Sequence, residues 1–117
     1  MGTLIDYLEA LGVKVLHQAP EAQRRWAEWC SRSKTIRIRP DLGAAQYAYA
    51  LAHEAGHAFH GHSCSWSRWE WEADVFAATW LIRPCEWAAA VKIHETVQGV
   101  AHELGVIPHL VRVYHSI

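Results

Sequence analysis

The run His53-Glu54-Ala55-Gly56-His57 lies in an alanine-rich stretch that predicts a helix from a cap at Asp41 to about Phe59. On a helix, residues four apart share one face, so the two imidazoles can bind one ion from the same side. The carboxylate beside the first His can act as a general base on a water bound to that ion. The run therefore predicts a zinc site on a helix.

Hydrophobic periodicity predicts the rest of the fold. A first helix begins after Thr3 and ends at Gly12, and a short strand can begin at Val13. Two strands at 25–30 and 34–39 read as a hairpin. Further helices are expected at 68–82, 86–94, 97–104 and from 108 to the end. We expect an α+β fold in which a small antiparallel sheet packs on helices.

Composition limits the class of protein. The chain has 117 residues, of which 51% are hydrophobic, which predicts one domain spanning residues 1–117. A net charge of −1 predicts no general affinity for nucleic acid, so we expect the segment 97–114 to pack on the other helices rather than bind DNA.

No apolar run approaches the length of a membrane span. Widely spaced Cys30, Cys64 and Cys85 argue against disulfides, so we expect a cytoplasmic protein without a membrane partner.

A catalytic zinc site takes three protein ligands and keeps a fourth position for water, so the two imidazoles need one more partner. In the metzincin pattern the third His would fall at Ser63, so that route fails. His60 shares the helix face of His53 and His57, but ligands from three consecutive turns strain a tetrahedral site. The third route is a Glu from the following helix, as in gluzincins.

Two acids of that helix, Glu70 and Glu72, are candidates for the third ligand. Glu70 and Asp74 lie four residues apart, so both can face the active helix. Glu70 would then be the ligand, and Asp74 would accept a hydrogen bond from the N–H of a ligand imidazole. Glu70 also lies nearer than Glu72 to the apolar side of its helix. We favour Glu70 as the ligand and keep Glu72 as the alternative.

The two motifs together resemble the ImmA/IrrE family of metallo-endopeptidases. The resemblance covers 26–84 well and rests on His53-Glu54-Ala55-Gly56-His57 followed by Glu70-x-Glu72-Ala73-Asp74-x-Phe76-Ala77-Ala78-x-x-Leu81-Ile82-x-Pro84. Trp80 departs from the family pattern. The resemblance implies a zincin-like core with gluzincin-like chemistry. In that chemistry His53, His57 and Glu70 (or Glu72) hold Zn²⁺, and Glu54 takes a proton from the zinc-bound water.

The resemblance also implies a substrate. Members of the family cleave helix-turn-helix repressors of phages or mobile elements, and an extended substrate would pair along the edge of the Ile36–Ile38 strand. Tyr49, His60 and His62 are candidates for stabilising the oxyanion, and the spacing does not choose among them. One alternative function is a zinc-bearing, protein-binding anti-repressor module without turnover. A purely structural zinc site is another.

Overall fold

The structure is a computed structural model that describes residues 3–22, 24–63 and 66–117. Within those residues the predicted α+β class is confirmed, with three strands and six helices. The elements in chain order are α1 (Leu4–Ala10), β1 (Lys14–Leu16), β2 (Ala27–Cys30), β3 (Thr35–Ile38), α2 (Ala44–His60), α3 (Ser67–Leu81), α4 (Pro84–Ile93), α5 (Val97–Leu104) and α6 (Pro108–Ser116).

The sheet is mixed, which corrects the expectation of an antiparallel sheet. Its strand order is β1-β3-β2, with β2 antiparallel and β1 parallel to the central β3. The hairpin uses one edge of β3, and β1 occupies the other, with Val15 opposite Ile36. Alternation along a strand shows which face is buried but not which strand pairs with each edge. The sequence therefore predicted the strands but not the direction of β1.

The helix caps agree with the sequence at α1 and disagree at α2. Thr3 caps α1 as predicted, since its Oγ1 accepts the backbone N–H of Asp6 at 3.1 Å. The prediction that Asp41 caps α2 is wrong, because Gly43 occupies that position. The carboxylate of Asp41 instead accepts the guanidinium of Arg39 at 2.8 Å.

The buried side chains form two clusters on either side of α2. One cluster joins α1 and the sheet to α2, and includes Ile36, Ile38 and Ala55. The other joins α2 to the C-terminal helices, and includes Ala52 and Leu110. Because α2 contributes to both clusters, its position is determined from two sides.

The helical tail packs on the other helices, as expected. Helix α6 contacts α3 and α5, and Leu110, Val111 and Val113 are buried. No helix in the described parts of the chain is long and apolar enough to cross a bilayer. Cys30 and Cys85 are free and exposed, and Cys64 lies outside the described residues.

Candidate metal centre

Helix α2 presents His53 and His57 on one face, as their spacing requires. The two rings lie 4.9 Å apart, centroid to centroid, and are nearly perpendicular, with an interplanar angle of 86°. His57 and the neighbouring Glu54 are both buried. The Nε2 atoms of both rings point to one place, where they meet a carboxylate from α3.

That carboxylate belongs to Glu70. Its Oε2 atom lies 2.9 Å from Nε2 of His53 and 2.8 Å from Nε2 of His57. The three side chains form a group whose potential ligand atoms all lie within 4.8 Å of one another. Two imidazole nitrogens and one carboxylate oxygen are a ligand set that zinc accepts, with one position left for water.

Helices α2 and α3 can approach closely because residue 56 is glycine. A Cβ atom built at Gly56 would lie 2.9 Å from the Cα atom of Ala73 and 3.0 Å from its carbonyl oxygen. Such a contact with backbone atoms cannot be relieved by a side-chain rotation. The glycine inside the motif therefore sets the distance at which Glu70 faces the two His residues.

Asp74 lies one turn after Glu70 and accepts three hydrogen bonds, each 2.7 Å long. Its Oδ1 atom accepts Nδ1 of His53 and the hydroxyl of Tyr49, and its Oδ2 atom accepts Nε2 of His109. Burial would raise the pKa of Asp74, but the three donors lower it to about 2. An ionised Asp74 orients His53 so that its Nε2 faces Glu70.

Glu54 is only 7% exposed and lies beside the group. Burial raises its pKa to about 7, opposed by the positive charge of His53 and by a hydrogen bond from the backbone of Trp29. A carboxylate with a pKa near neutrality can both take up and release a proton at physiological pH. Burying a carboxylate in an alanine-rich region costs free energy, and groups buried at such a cost cluster at functional sites.

The charges of the centre suit a cation. Hydrogen bonds from His53 are the main cause that lowers the pKa of Glu70, to about 2. Burial opposes charge on His53, but its hydrogen bonds to Asp74 and Glu70 raise its pKa to about 9. The imidazole of His53 therefore carries a proton between two carboxylates, at the position that a metal ion would occupy. The donor atoms and their charges therefore fit a divalent ion.

Glu72, the alternative ligand, faces another neighbour. Its Oε1 atom lies 3.0 Å from Nε2 of His62, whose Nδ1 lies 3.0 Å from Nδ1 of His57. His60 joins His62 and Glu72 in a second group with possible ligand atoms within 4.8 Å of one another. The structure thus places Glu70 against the two motif His residues, and it places His60 and Glu72 in the neighbouring group.

The sequence did not predict two contacts of the centre, those of His62 with His57 and of His109 with Asp74, although it made His62 an oxyanion candidate. His62 lies in the loop after α2, and His109 lies in the first turn of α6. Nε2 of His109 lies 2.7 Å from Oδ2 of Asp74, although the side chain of His109 is half exposed. Neither residue has ligand spacing relative to the motif, so the sequence carries no local signal for them.

A cleft with a volume of about 240 Å³ opens beside the centre, lined by Trp26, Ala27, Tyr49, Glu54 and Glu70 among others. The strand at this cleft is β2. The expectation that a substrate pairs along the Ile36–Ile38 strand is wrong, because β3 is paired on both sides. Only an outer strand of a sheet offers a free row of backbone groups.

Comparison with known proteins identifies the family. Neither the curated proteins nor the solved structures give a match to this chain. Residues 8–113 match the Peptidase M78 family, described as the IrrE N-terminal-like domain. This match covers the motif helix, the helix that supplies Glu70 and Asp74, and most of the helical tail. The chain therefore belongs to the Peptidase M78 family, with an IrrE N-terminal-like domain.

Proposed function

We propose that the chain is a zinc-dependent endopeptidase with a zincin-like core, and that its substrate is a helix-turn-helix repressor of a phage or mobile element. The observation that carries the enzymatic part is the meeting of His53 Nε2, His57 Nε2 and Glu70 Oε2, with the buried Glu54 beside them. Membership of a peptidase family supports the same reaction class. The choice of substrate rests on the resemblance of the motifs to the ImmA/IrrE family.

In the proposed site, His53, His57 and Glu70 hold Zn²⁺. The metal supplies a Lewis acid that polarises the peptide carbonyl and makes water a better nucleophile. Glu54 would accept the proton of the attacking water and later deliver it to the leaving amine, a role that its buried position beside the two imidazoles supports. Asp74 keeps the imidazole of His53 in the orientation that leaves Nε2 for the metal.

Substrate would lie along β2 rather than β3. The carbonyl of Trp26 accepts the N–H of Arg39, so the backbone of Trp26 faces β3. Because backbone groups alternate in direction along a strand, those of Ala27 face outward, at the wall of the cleft. An extended peptide segment could pair there and present its carbonyl to the centre.

Tyr49 is the best placed of the three oxyanion candidates. It lines the cleft together with His53 and Glu54. His62 uses both ring nitrogens in contacts with His57 and Glu72. His60 stacks on His62, with 5.1 Å between ring centroids. The hydroxyl of Tyr49 donates its one proton to Asp74 at 2.7 Å, so Tyr49 could stabilise an oxyanion only by giving up that hydrogen bond. We therefore assign the oxyanion contact to none of the three residues.

The test uses the zinc-loaded chain and its Glu54→Gln variant, each incubated with the purified helix-turn-helix repressor encoded nearest to its gene. We expect wild type to cut the repressor at a defined bond seen by mass spectrometry, and Glu54→Gln to bind zinc but cut at least about 1,000-fold more slowly. If wild type retards the repressor on a native gel and leaves it uncut, the chain is an anti-repressor module. If it does neither, the repressor is not the substrate.

A further inference from the structure

The loop after α2 places a third imidazole against the metal centre. His62 is 4% exposed, and its ring stacks on that of Trp69 with 4.6 Å between ring centroids and an interplanar angle of 5°. Two backbone contacts hold the loop, since the N–H of His62 binds the carbonyl of His57 and its carbonyl accepts Nε1 of Trp29 at 2.9 Å each. This ring is thus fixed in position and in orientation.

Its two nitrogens connect two other side chains. Nδ1 of His62 lies 3.0 Å from Nδ1 of His57, and Nε2 lies 3.0 Å from Oε1 of Glu72. Among the described side chains, no buried polar atom is left without a hydrogen-bond partner. His57, His62 and Glu72 therefore form a continuous chain of hydrogen bonds that leads away from the metal centre.

The proton positions in this chain follow from metal binding. An imidazole that binds a metal through Nε2 uses the lone pair of that atom, so the proton of neutral His57 lies on Nδ1. Nδ1 of His62 must then accept this proton in a hydrogen bond. The proton of neutral His62 lies in turn on Nε2, from which Glu72 accepts. Only one arrangement of protons satisfies all three groups.

The proton positions also decide whether His62 is a hydrogen-bond partner of His57 or a ligand of a second metal ion. The group of His60, His62 and Glu72 has ligand atoms within 4.8 Å of one another and resembles a second metal site. However, Nε2 of His62 carries a proton while His57 holds a metal, so it has no lone pair for a second ion. Binding a second ion would require the loss of a further proton from the paired rings.

We propose that His62 and Glu72 are positioning residues that hold His57 in its metal-binding tautomer. His62 accepts the Nδ1–H of His57, and the carboxylate of Glu72 keeps the proton of His62 on the far nitrogen. Asp74 does the same for His53 through one direct contact. This inference rests on the proposed zinc site and extends it, since each zinc-binding imidazole then has its own acidic acceptor.

The test measures zinc affinity by competition with a chromophoric chelator, which requires no peptidase activity. His62→Phe keeps an aromatic ring against Trp69 but removes both nitrogens, and we expect it to weaken zinc binding about 10- to 100-fold. His62→Gln keeps an acceptor and a donor, and we expect it to recover part of this loss. The neighbouring His60→Ala is the matched control and should stay within about twofold of wild type.

Glu72 should act only through His62. We expect Glu72→Ala to weaken zinc binding about tenfold in the wild-type background and to have no further effect in His62→Phe. In zinc-loaded protein, ¹⁵N chemical shifts should show the proton of His57 on Nδ1 and that of His62 on Nε2. Thermal unfolding of the metal-free variants shows whether a loss of zinc affinity comes from a less stable fold or from the loss of the contact that orients His57.

The outcomes distinguish this inference from the proposed function. If wild type binds no zinc, both are overturned. If wild type binds zinc and His62→Phe and Glu72→Ala bind it equally well, the positioning role is rejected while the zinc site stands. If wild type binds two zinc ions and His60→Ala loses one of them, the group is a second metal site and the positioning role is rejected.

Discussion

At the scale of single residues, His53 lies among the carboxylates of Glu54, Glu70 and Asp74. Burial alone would lower its pKa, but its hydrogen bonds to Asp74 and Glu70 raise the pKa to about 9. The metal-free protein therefore carries a proton on His53 at pH 7, because this pH lies below the pKa. A zinc ion bound through Nε2 replaces that proton.

We predict that zinc binding at pH 7 releases about one proton, mainly from His53. The apparent zinc affinity should rise with pH, by up to about tenfold per unit, and level off near the pKa of about 9. Calorimetry in two buffers with different ionisation enthalpies measures the number of protons released.

The control for this prediction is Asp74→Asn, which removes the carboxylate that raises the pKa of His53. This variant should release fewer protons at pH 7 and show a flatter dependence of affinity on pH. Equal proton release by wild type and Asp74→Asn would contradict the role of Asp74.

At the scale of elements, the centre depends on how closely α2 and α3 pack. Gly56 faces the backbone of Ala73, and Glu70 and Asp74 lie on the same helix on either side of that contact. A shift of α3 away from α2 would therefore move both acids relative to His53 and His57. Ligand positions must hold to about half an ångström for a tight site.

We predict that Gly56→Ala weakens zinc binding and also lowers the free energy of unfolding. Helix propensity alone would favour Ala by about 1 kcal/mol. The added methyl would meet backbone atoms at 2.9 and 3.0 Å, and overpacking of this kind costs about 1–3 kcal/mol. We expect the steric cost to exceed the gain in helix propensity, so that the variant is less stable than wild type. Urea unfolding and chelator competition measure the two quantities.

Gly43→Ala is the matched control, since a Cβ at that position would lie 3.7 Å from the nearest atom. It changes the cap of α2 without touching α3, so zinc affinity should stay at the wild-type value. An unchanged zinc affinity in Gly56→Ala would show that α3 does not need this close contact to place Glu70.

At the scale of the whole molecule, the two apolar clusters hold α2 and α3, which carry the proposed ligands, without help from a metal. Helix α2 packs against the sheet on one side and against the C-terminal helices on the other. Helix α3 is held by α2 and by α6. The metal centre is therefore built on a framework that folding alone can form.

We predict that the chain stays folded when zinc is removed, in contrast to a protein with a structural zinc site. Zinc at about 1,000 times its Kd should then stabilise the fold by about 4 kcal/mol and raise Tm by roughly 10–20 °C. Circular dichroism with and without a chelator measures both quantities. His57→Ala should show no comparable zinc-dependent shift, and loss of helical signal on chelation at 25 °C would contradict the prediction.

The sequence alone determined the features that depend on neighbouring residues. The spacing of His53 and His57 placed both on one face of a helix, and the α+β class followed from periodicity along the chain. Helix geometry repeats every few residues, so short-range patterns are enough for such predictions. The motif also placed a carboxylate, Glu54, beside the first imidazole.

Only the tertiary structure showed that Glu70 faces His53 and His57 while Glu72 faces His62, although the two acids lie within one turn of α3. It also showed the direction of β1 and brought His62 and His109 to the centre. These features depend on how helices and strands are rotated and packed against each other. That arrangement is set by contacts between residues far apart in the chain, such as Gly56 with Ala73. Short-range sequence patterns therefore cannot predict it.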